Sequence, residues 1–239
     1  MDLPDGYSLF EHDAVDSTNG EAKRLIADGA GHGAVIRAVM QTAGRGRNGR
    51  QWISPPGNLY ASVIVQLPEG RDPGQLSFVA ALGAIDALAP HGRVRLKWPN
   101  DVLIAGKKLA GILIEVESGL AVIGIGVNLD SAPDDTRLPA ARLPNPPPPE
   151  DLLAAFCFGL DRWHRRWLEE GFAPVRDQWL SHADGLNKSV EARLPRETLT
   201  GRFAGLDDAG GLILEQPDGG RRIVSAGDVF FESNDAAGD

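Results

Sequence analysis

Apolar positions recur along this chain in two periods, near 3.6 and near 2, and the switches between them mark its elements. Residues 20–27 have the spacing of a short helix that Gly29 stops, and Thr18 and Glu21 stand at capping-box spacing before it. Residues 33–40 and 58–67 read as strands. Residues 73–88 form a helix pattern in which Leu76, Val79, Ala80, Gly83, Ala84, Ala87 and Leu88 line one face. Phe78, Leu82 and Ile85 make a second apolar face, so this helix is expected to be sandwiched, with Gly83 and Ala84 against a sheet.

Strand patterns follow at 94–98, 101–104, 108–116 and 120–129, with turn residues at Gly106-Lys107 and Ser118-Gly119. This meander is expected at the sheet centre, with an edge that leaves homodimer pairing open. The five prolines of 144–149 exclude regular structure there. Helix patterns return at 150–169 and 173–182. After Gly185 the texture becomes short β segments, 189–194, 199–206, 211–216 and 221–224, separated by the clusters Asp207-Asp208-Ala209-Gly210-Gly211 and Pro217-Asp218-Gly219-Gly220. Such spacing points to a small barrel. No internal repeat is visible.

Bulk properties narrow the picture. A chain of 239 residues buries enough surface to fold without staples. Its single cysteine, Cys157, lies in a helix pattern, which suits a reducing, cytoplasmic setting. The formal net charge of −9 argues against general nucleic-acid binding. The first residues carry no leader pattern, and no apolar run is long enough to span a bilayer, so no membrane partner is expected.

Against that acidic background one segment stands out. Gln41 to Arg50 places three arginines among three glycines directly after an apolar strand. Backbone N–H groups freed by glycine, with guanidinium forks beside them, suit an anion. The segment is neither a dinucleotide fingerprint, since no helix opens after the last glycine, nor a Walker loop, since the Lys-Ser/Thr ending is missing. Trp52 follows and can cover the apolar part of a ligand. Taken alone, a solvated hairpin tip fits about equally well.

Three other clusters bear on that choice. Lys97-Trp98-Pro99-Asn100-Asp101 puts a lysine and a carboxylate around a rigid turn, and Lys108 begins the next strand. These charges can converge at one end of a sheet and offset charge on a phosphate or carboxylate; the plain alternative is a surface ion pair. Gly124 and Gly126 interrupt a strand, which marks a close approach to the backbone, and Asn128 ends it with an amide able to read a base edge. Taken alone, a bulge with a turn asparagine explains that cluster better. Asp16-Ser17-Thr18-Asn19 are ordinary helix caps, yet clustered hydroxyls also suit a urea-like head group.

Together and in this order, these segments resemble the biotin protein ligases, and the resemblance runs from Asp16 to Val229. It implies an α+β fold, a mixed, mostly antiparallel central sheet flanked by helices. That catalytic domain, residues 1–185, would be followed by a small C-terminal SH3-like β-barrel, residues 186–239. It implies ATP-dependent activation of biotin to biotinyl-AMP, with Mg²⁺, then transfer to a lysine of the biotin carboxyl carrier domain of an acyl-CoA carboxylase. By resemblance, Ser17, Thr18, Asn19, Gln41, Gly44, Arg45, Gly46, Arg47, Lys108 and Gly111 line the biotin site. Arg47, Arg50, Trp52, Asn128 and Lys108 hold the nucleotide, and Lys108, Asp101 and Arg47 carry the catalysis. Metal ligands are unassigned. The loop is expected to be mobile when empty and to order on the ligand.

Three departures matter. Asp16 comes too early for the helix-turn-helix domain that many members carry. Ala140-Ala141-Arg142-Leu143 stands where members show an Ala-Thr-Ser-Leu-like stretch, and Asn48 where many have a basic residue. The rival readings are a lipoate or octanoate ligase or transferase of the same fold, a non-catalytic biotin sensor, and an RNA-binding module.

Overall fold

The computed structural model describes residues 1–134, 138–194 and 196–231. Seven strands form the first sheet, in the order β1-β2-β3-β7-β6-β5-β4. They are β1 (Ser8–Val15), β2 (Ala34–Gln41), β3 (Leu59–Gln66), β4 (Val94–Lys97), β5 (Asp101–Ile104), β6 (Lys107–Glu117) and β7 (Leu120–Val127). Only the β1–β2 pair is parallel, and helix α1 (Thr18–Ala27) supplies the crossover that a parallel pair needs. Most of β1 is exposed or half-exposed, and Glu11, His12 and Asp13 interrupt its alternation. That weak pattern is why sequence periodicity does not reveal it.

The meander β4–β7 supplies four of the seven strands and runs from the edge to the centre: β7, paired with both β3 and β6, is the middle strand and β4 the edge. Two of its three hairpins turn through a positive-φ residue followed by glycine, Ala105-Gly106 and Ser118-Gly119. The first turn therefore falls one residue earlier than Gly106-Lys107, and Lys107 is already in β6. The meander's outer edge, β4, is partly covered by the segment that holds Ala183 and Asp184. Asp184 N donates to Leu96 O at 2.6 Å, and the Arg95 guanidinium donates to Ala183 O at 2.8 Å.

Helix α2 (Leu76–Leu88) is buried on nearly every side, as its two apolar faces require. It lies between the sheet and helix α3 (Pro149–Glu170), with helix α4 (Ala173–His182) also against it. Pro149 opens α3 with Glu150 and Asp151 in the first turn, where the helix dipole favours negative charge. Gly83 is not turned to the sheet: a Cβ there would sit 2.8 Å from Leu160 N, and Gly159 returns the approach from α3. Backbone meets backbone at this crossing. Trp167, Trp179 and Phe156 fill the same layer without exposure to solvent.

Strands β8 (Ser189–Arg193), β9 (Thr198–Leu206), β10 (Leu212–Glu215), β11 (Arg221–Val224) and β12 (Asp228–Phe231) make a second, antiparallel sheet in the order β11-β10-β9-β8-β12. The short-strand texture predicts this unit, although β12 was not among the strands read from the pattern. The two units are joined by Trp98, whose indole Nε1 donates to Gly210 O at 3.0 Å. Among the described residues, no helix is long and apolar enough to cross a membrane.

The Gly83 crossing leaves no room for a methyl group. Gly83→Ala is expected to destabilise the fold by about 1–3 kcal/mol, the usual cost of overpacking. Urea denaturation measures it, and an unchanged midpoint would rule out the tight crossing.

Candidate active site

A cavity of about 350 Å³ opens at the ends of β2, β6 and β7, under the Gly/Arg loop. Thirteen of the fourteen site residues named from the sequence line it: Ser17, Thr18, Asn19, Gln41, Arg45, Gly46, Arg47, Arg50, Trp52, Asp101, Lys108, Gly111 and Asn128. Gly44 is the exception. It packs beneath the loop, where a Cβ would stand 2.4 Å from Trp52 O.

The polar end is built at the start of α1. Ser17, not Thr18, is the N-cap, and its Oγ accepts from Gly20 N at 3.0 Å. Thr18 and Asn19 are thereby free to face the sheet, and both are buried. Thr18 N donates to Gln41 Oε1 at 2.8 Å, and Gln41 Nε2 donates to Ser54 Oγ at 2.9 Å. Ser62 Oγ lies 2.6 Å from Asn19 Oδ1 and 2.8 Å from Thr18 Oγ1. Asn19 Nδ2 donates to Glu115 Oε2 at 2.7 Å, and Lys23 Nζ meets Glu115 Oε1 at the same distance. Burial pushes the Glu115 carboxyl up, but these two donors and nearby Arg45 outweigh it and hold the group below the usual carboxylate range. Ser62 and Glu115 carry no local sign of this role, being 43 and 96 residues from Asn19.

The loop is more ordered in its bonding than the glycine content implies. Arg45 bridges to Gln51, Gly46 N donates to Arg50 O at 2.7 Å, and Trp52 N donates to Gly44 O at 2.9 Å. Gly46 N–H is thus spent inside the loop rather than offered to an anion. Arg47 to Gly49 makes one 3₁₀ turn in which Asn48 takes a left-handed conformation (φ 56°, ψ 34°). Asparagine tolerates that region better than a long basic side chain. The three arginines each have a partner: Arg45 reaches Glu115 at 3.4 Å, Arg47 reaches Asn100 Oδ1 at 3.3 Å, and Arg50 pairs with Asp228. Asp228 and Phe230 come from β12, so the C-terminal unit contributes to the cavity wall. Neither was found from the sequence, because β12 itself was not.

The cluster around the Trp98–Pro99 turn, whose peptide bond is cis, does converge as its charges predict. Lys108 Nζ lies 2.6 Å from Asp101 Oδ1, and Lys97 Nζ lies 3.9 Å from Asp101 Oδ2. The Lys108 contact has ion-pair distance without hydrogen-bond geometry, so Asp101 Oδ1 is buried with no hydrogen-bond donor. A bulge at Val102/Leu103 offsets β5 against β6 here, which lets Lys108 reach back toward Asp101.

The two-glycine strand is explained as well. A Cβ on Gly124 would stand 2.3 Å from Asn19 Oδ1, and one on Gly126 would stand 2.5 Å from the Trp52 indole. Gly111 completes this bare floor from β6. Trp52 lies on it with its indole N–H buried and unpartnered, 5.3 Å from Lys108 Nζ. Asn128 is less available than its type implies. Its Nδ2 donates to Ala141 O at 3.2 Å and lies 3.4 Å from Lys108 O, tying segment 139–143 to the cavity wall.

A pocket with a hydrogen-bonding end, a bare strand floor and cations around Asp101 suits a small acid together with an anionic co-substrate, as in a ligase that activates an acid. Residues 13–130 match the Biotin/lipoate A/B protein ligase family, and residues 185–232 match the Biotin protein ligase C terminal domain. The biotin–[acetyl-CoA-carboxylase] ligase of Paracoccus denitrificans is 43% identical over 91% of this chain and 98% of its own length. The ligase of the same name from Mycobacterium tuberculosis is 34% identical over 89% and 85%. The biotin protein ligase of Aquifex aeolicus, solved in complex with biotin and ATP, superposes with a TM-score of 0.83 at 27% identity over 93% of this chain and 97% of that one. The chain belongs to the biotin protein ligase family, and the C-terminal match and both curated relatives favour that over the lipoate, sensor and RNA-binding readings.

Filling the floor is expected to expel Trp52. In Gly126→Ala, one more indole should become open to acrylamide quenching than in the parent, and a Trp52→Phe background should remove that difference. Equal quenching in all three proteins would contradict the stacking.

Proposed function

We propose that this biotin protein ligase binds biotin with its ring system among Thr18, Asn19 and Gln41, over the Gly111 and Gly124 floor, and its carboxylate toward Lys108. One observation carries the reading. Among the described residues, the two lysines on the cavity wall, Lys97 and Lys108, gather with Arg47 and Arg50 around Asp101 and Asp228, away from the hydrogen-bonding cluster of Thr18, Asn19 and Gln41. A carboxylate and a triphosphate repel each other, and those cations offset the repulsion.

In the first step a biotin carboxylate oxygen attacks the α-phosphorus of ATP, and pyrophosphate leaves. Lys108, Arg47 and Arg50 are assigned to the charge that builds on the phosphate and acyl oxygens. In the second step the neutral amine of a carrier lysine attacks the acyl carbon, an amide forms, and AMP leaves. Asp101, with an oxygen lacking a hydrogen-bond donor, is assigned to orient that lysine and take its proton. Trp52 and Ala140 line the cavity and are assigned to cover the nucleotide. On this reading Arg45 and Arg50 exchange Glu115 and Asp228 for the ligand, and the loop tightens as they do.

Among the described residues, no three acidic, histidine or cysteine side chains cluster as a metal site. The donors present fit Mg²⁺ only as a cation carried on the triphosphate, largely by phosphate oxygens and water. There it would offset phosphate charge. The carrier domain of an acyl-CoA carboxylase is the proposed acceptor, supported by the names of the curated relatives, and the cytoplasm is the proposed setting. We place the boundary between a catalytic and a C-terminal domain at residues 185/186, supported by the absence of any ladder joining the two sheets among the described strands.

Incubation with ATP, Mg²⁺, a carrier domain and either biotin or lipoate tests this. Mass spectrometry should show one biotin amide on the carrier and none from lipoate; modification by lipoate alone would overturn it. Arg47→Gly removes the guanidinium that spans from the loop to Asn100. It should release biotinyl-AMP at least about tenfold faster, a loss of roughly 1.4 kcal/mol, and label bystander lysines. Retention as tight as in the parent would remove Arg47 from the clamp.

A further inference from the structure

Lys97 has no role in the scheme so far, yet it is a buried cation on the cavity wall. Only 5% of it is exposed, at the end of β4, and its Nζ faces the oxygen of Asp101 that Lys108 does not touch. Burying a lysine is costly unless its charge is used. The groups around it are Asp101 on β5, Lys108 on β6, Arg47 and Arg50 in the loop, and Asp228 on β12. The ring of Phe230 lies 5.6 Å from its Nζ.

The scheme asks Lys108 to do two things. It is paired to Asp101 at 2.6 Å, and in the reaction it must also reach the acyl phosphate. Each departure would leave a buried carboxylate without its counter-charge, and such a carboxylate takes up a proton or shifts. A protonated Asp101 cannot accept a proton from the carrier lysine. A second cation on the opposite oxygen removes the conflict, because it does not have to leave when Lys108 does.

We propose that Lys97 is a positioning residue for the amide-forming step, keeping Asp101 ionised and in place while Lys108 is engaged by the acyl phosphate. The inference rests on the assignment of Asp101 made above. Burial draws the Lys97 ammonium below the usual lysine range, Asp101 works against that, and Lys108 adds to it. The geometry is that of a lysine whose charge is sustained by the carboxylate it serves. Lys97 is rigidly placed for this, being the last residue of β4 and register partner of Asp101 itself.

The test isolates the second step. Full-length protein is loaded with biotinyl-AMP, mixed with a carrier domain, and the single-turnover rate of amide formation is followed against pH. Asp101→Asn identifies the acid limb that belongs to Asp101, as the limb it abolishes. Lys97→Met should lower the rate near neutral pH by about tenfold. It should also move that acid limb up by about one pH unit, because a carboxylate that loses a nearby cation holds its proton to higher pH. Lys97→Arg should bring both back toward the parent, and Lys97→Gln replaces the methionine variant if that protein melts early. An acid limb in its parental position in Lys97→Met and Lys97→Gln overturns the proposal, whether or not the rate falls. If Asp101→Asn transfers biotin normally and leaves the acid limb intact, the Asp101 assignment itself is wrong.

Discussion

The space at the heart of the cavity exists because two neighbouring strands lack side chains there, and that constraint governs this structure. Gly111, Gly124 and Gly126 leave one face of β6 and β7 bare. The alternate positions of the same strands, Ala110, Ile112, Ile123, Ile125 and Val127, are buried in the apolar core on the other face. The period of two thus does both jobs at once. One face anchors the strands against α2, and the other receives Asn19 from α1 and Trp52 from beyond the loop. A Cβ on either β7 glycine would collide with one of these two residues.

The electrostatics follow a similar economy. A chain of net charge −9 collects two lysines and three arginines around one cavity. The loop cations do not face one another unrelieved. Arg45 and Arg50 lean on Glu115 and Asp228, with about half of each arginine side chain exposed. Exposed pairs of this kind are each worth about 0–1 kcal/mol. They hold the loop in shape but are weak enough to yield to a phosphate, which accepts charge-assisted bonds from several donors at once. The deeper pairs around Asp101 are a different matter, since a buried carboxylate cannot surrender its partner to water. The mouth of the site is therefore suited to exchanging partners, and in the interior Lys97 would keep Asp101 paired when Lys108 leaves.

Much of this was legible in the chain. Helix α4 and strands β5 and β11 have the bounds that periodicity gives, and α3 differs by one residue at each end. The Gly/Arg loop, the Trp-Pro turn and the interrupted strand were recognisable as places of unusual chemistry, and all reach the cavity. What failed to show has a common cause. β1 is an exposed edge strand with a charged middle, so burial imposes no alternation on it. Ser17 and Thr18 are both cap types, serine the stronger, and Ser17 takes the cap while Gln41 and Ser62 engage Thr18. Gly83 reads as a site of close approach, but only the packing of α3 says what approaches.

The sequence by itself determined which residue types were present and which local turns and periods they could adopt, because those depend on neighbours a few positions apart. Tertiary structure decided which of them meet. Asn19 and Glu115 are 96 residues apart, and Arg50 and Asp228 are 178 apart. Such pairs are set by sheet order and strand register, including a bulge that offsets β5 against β6, and by a C-terminal unit whose last described strand closes the cavity wall. Register is a property of the whole sheet, since one face must be buried along every strand together. No local stretch of the chain carries it.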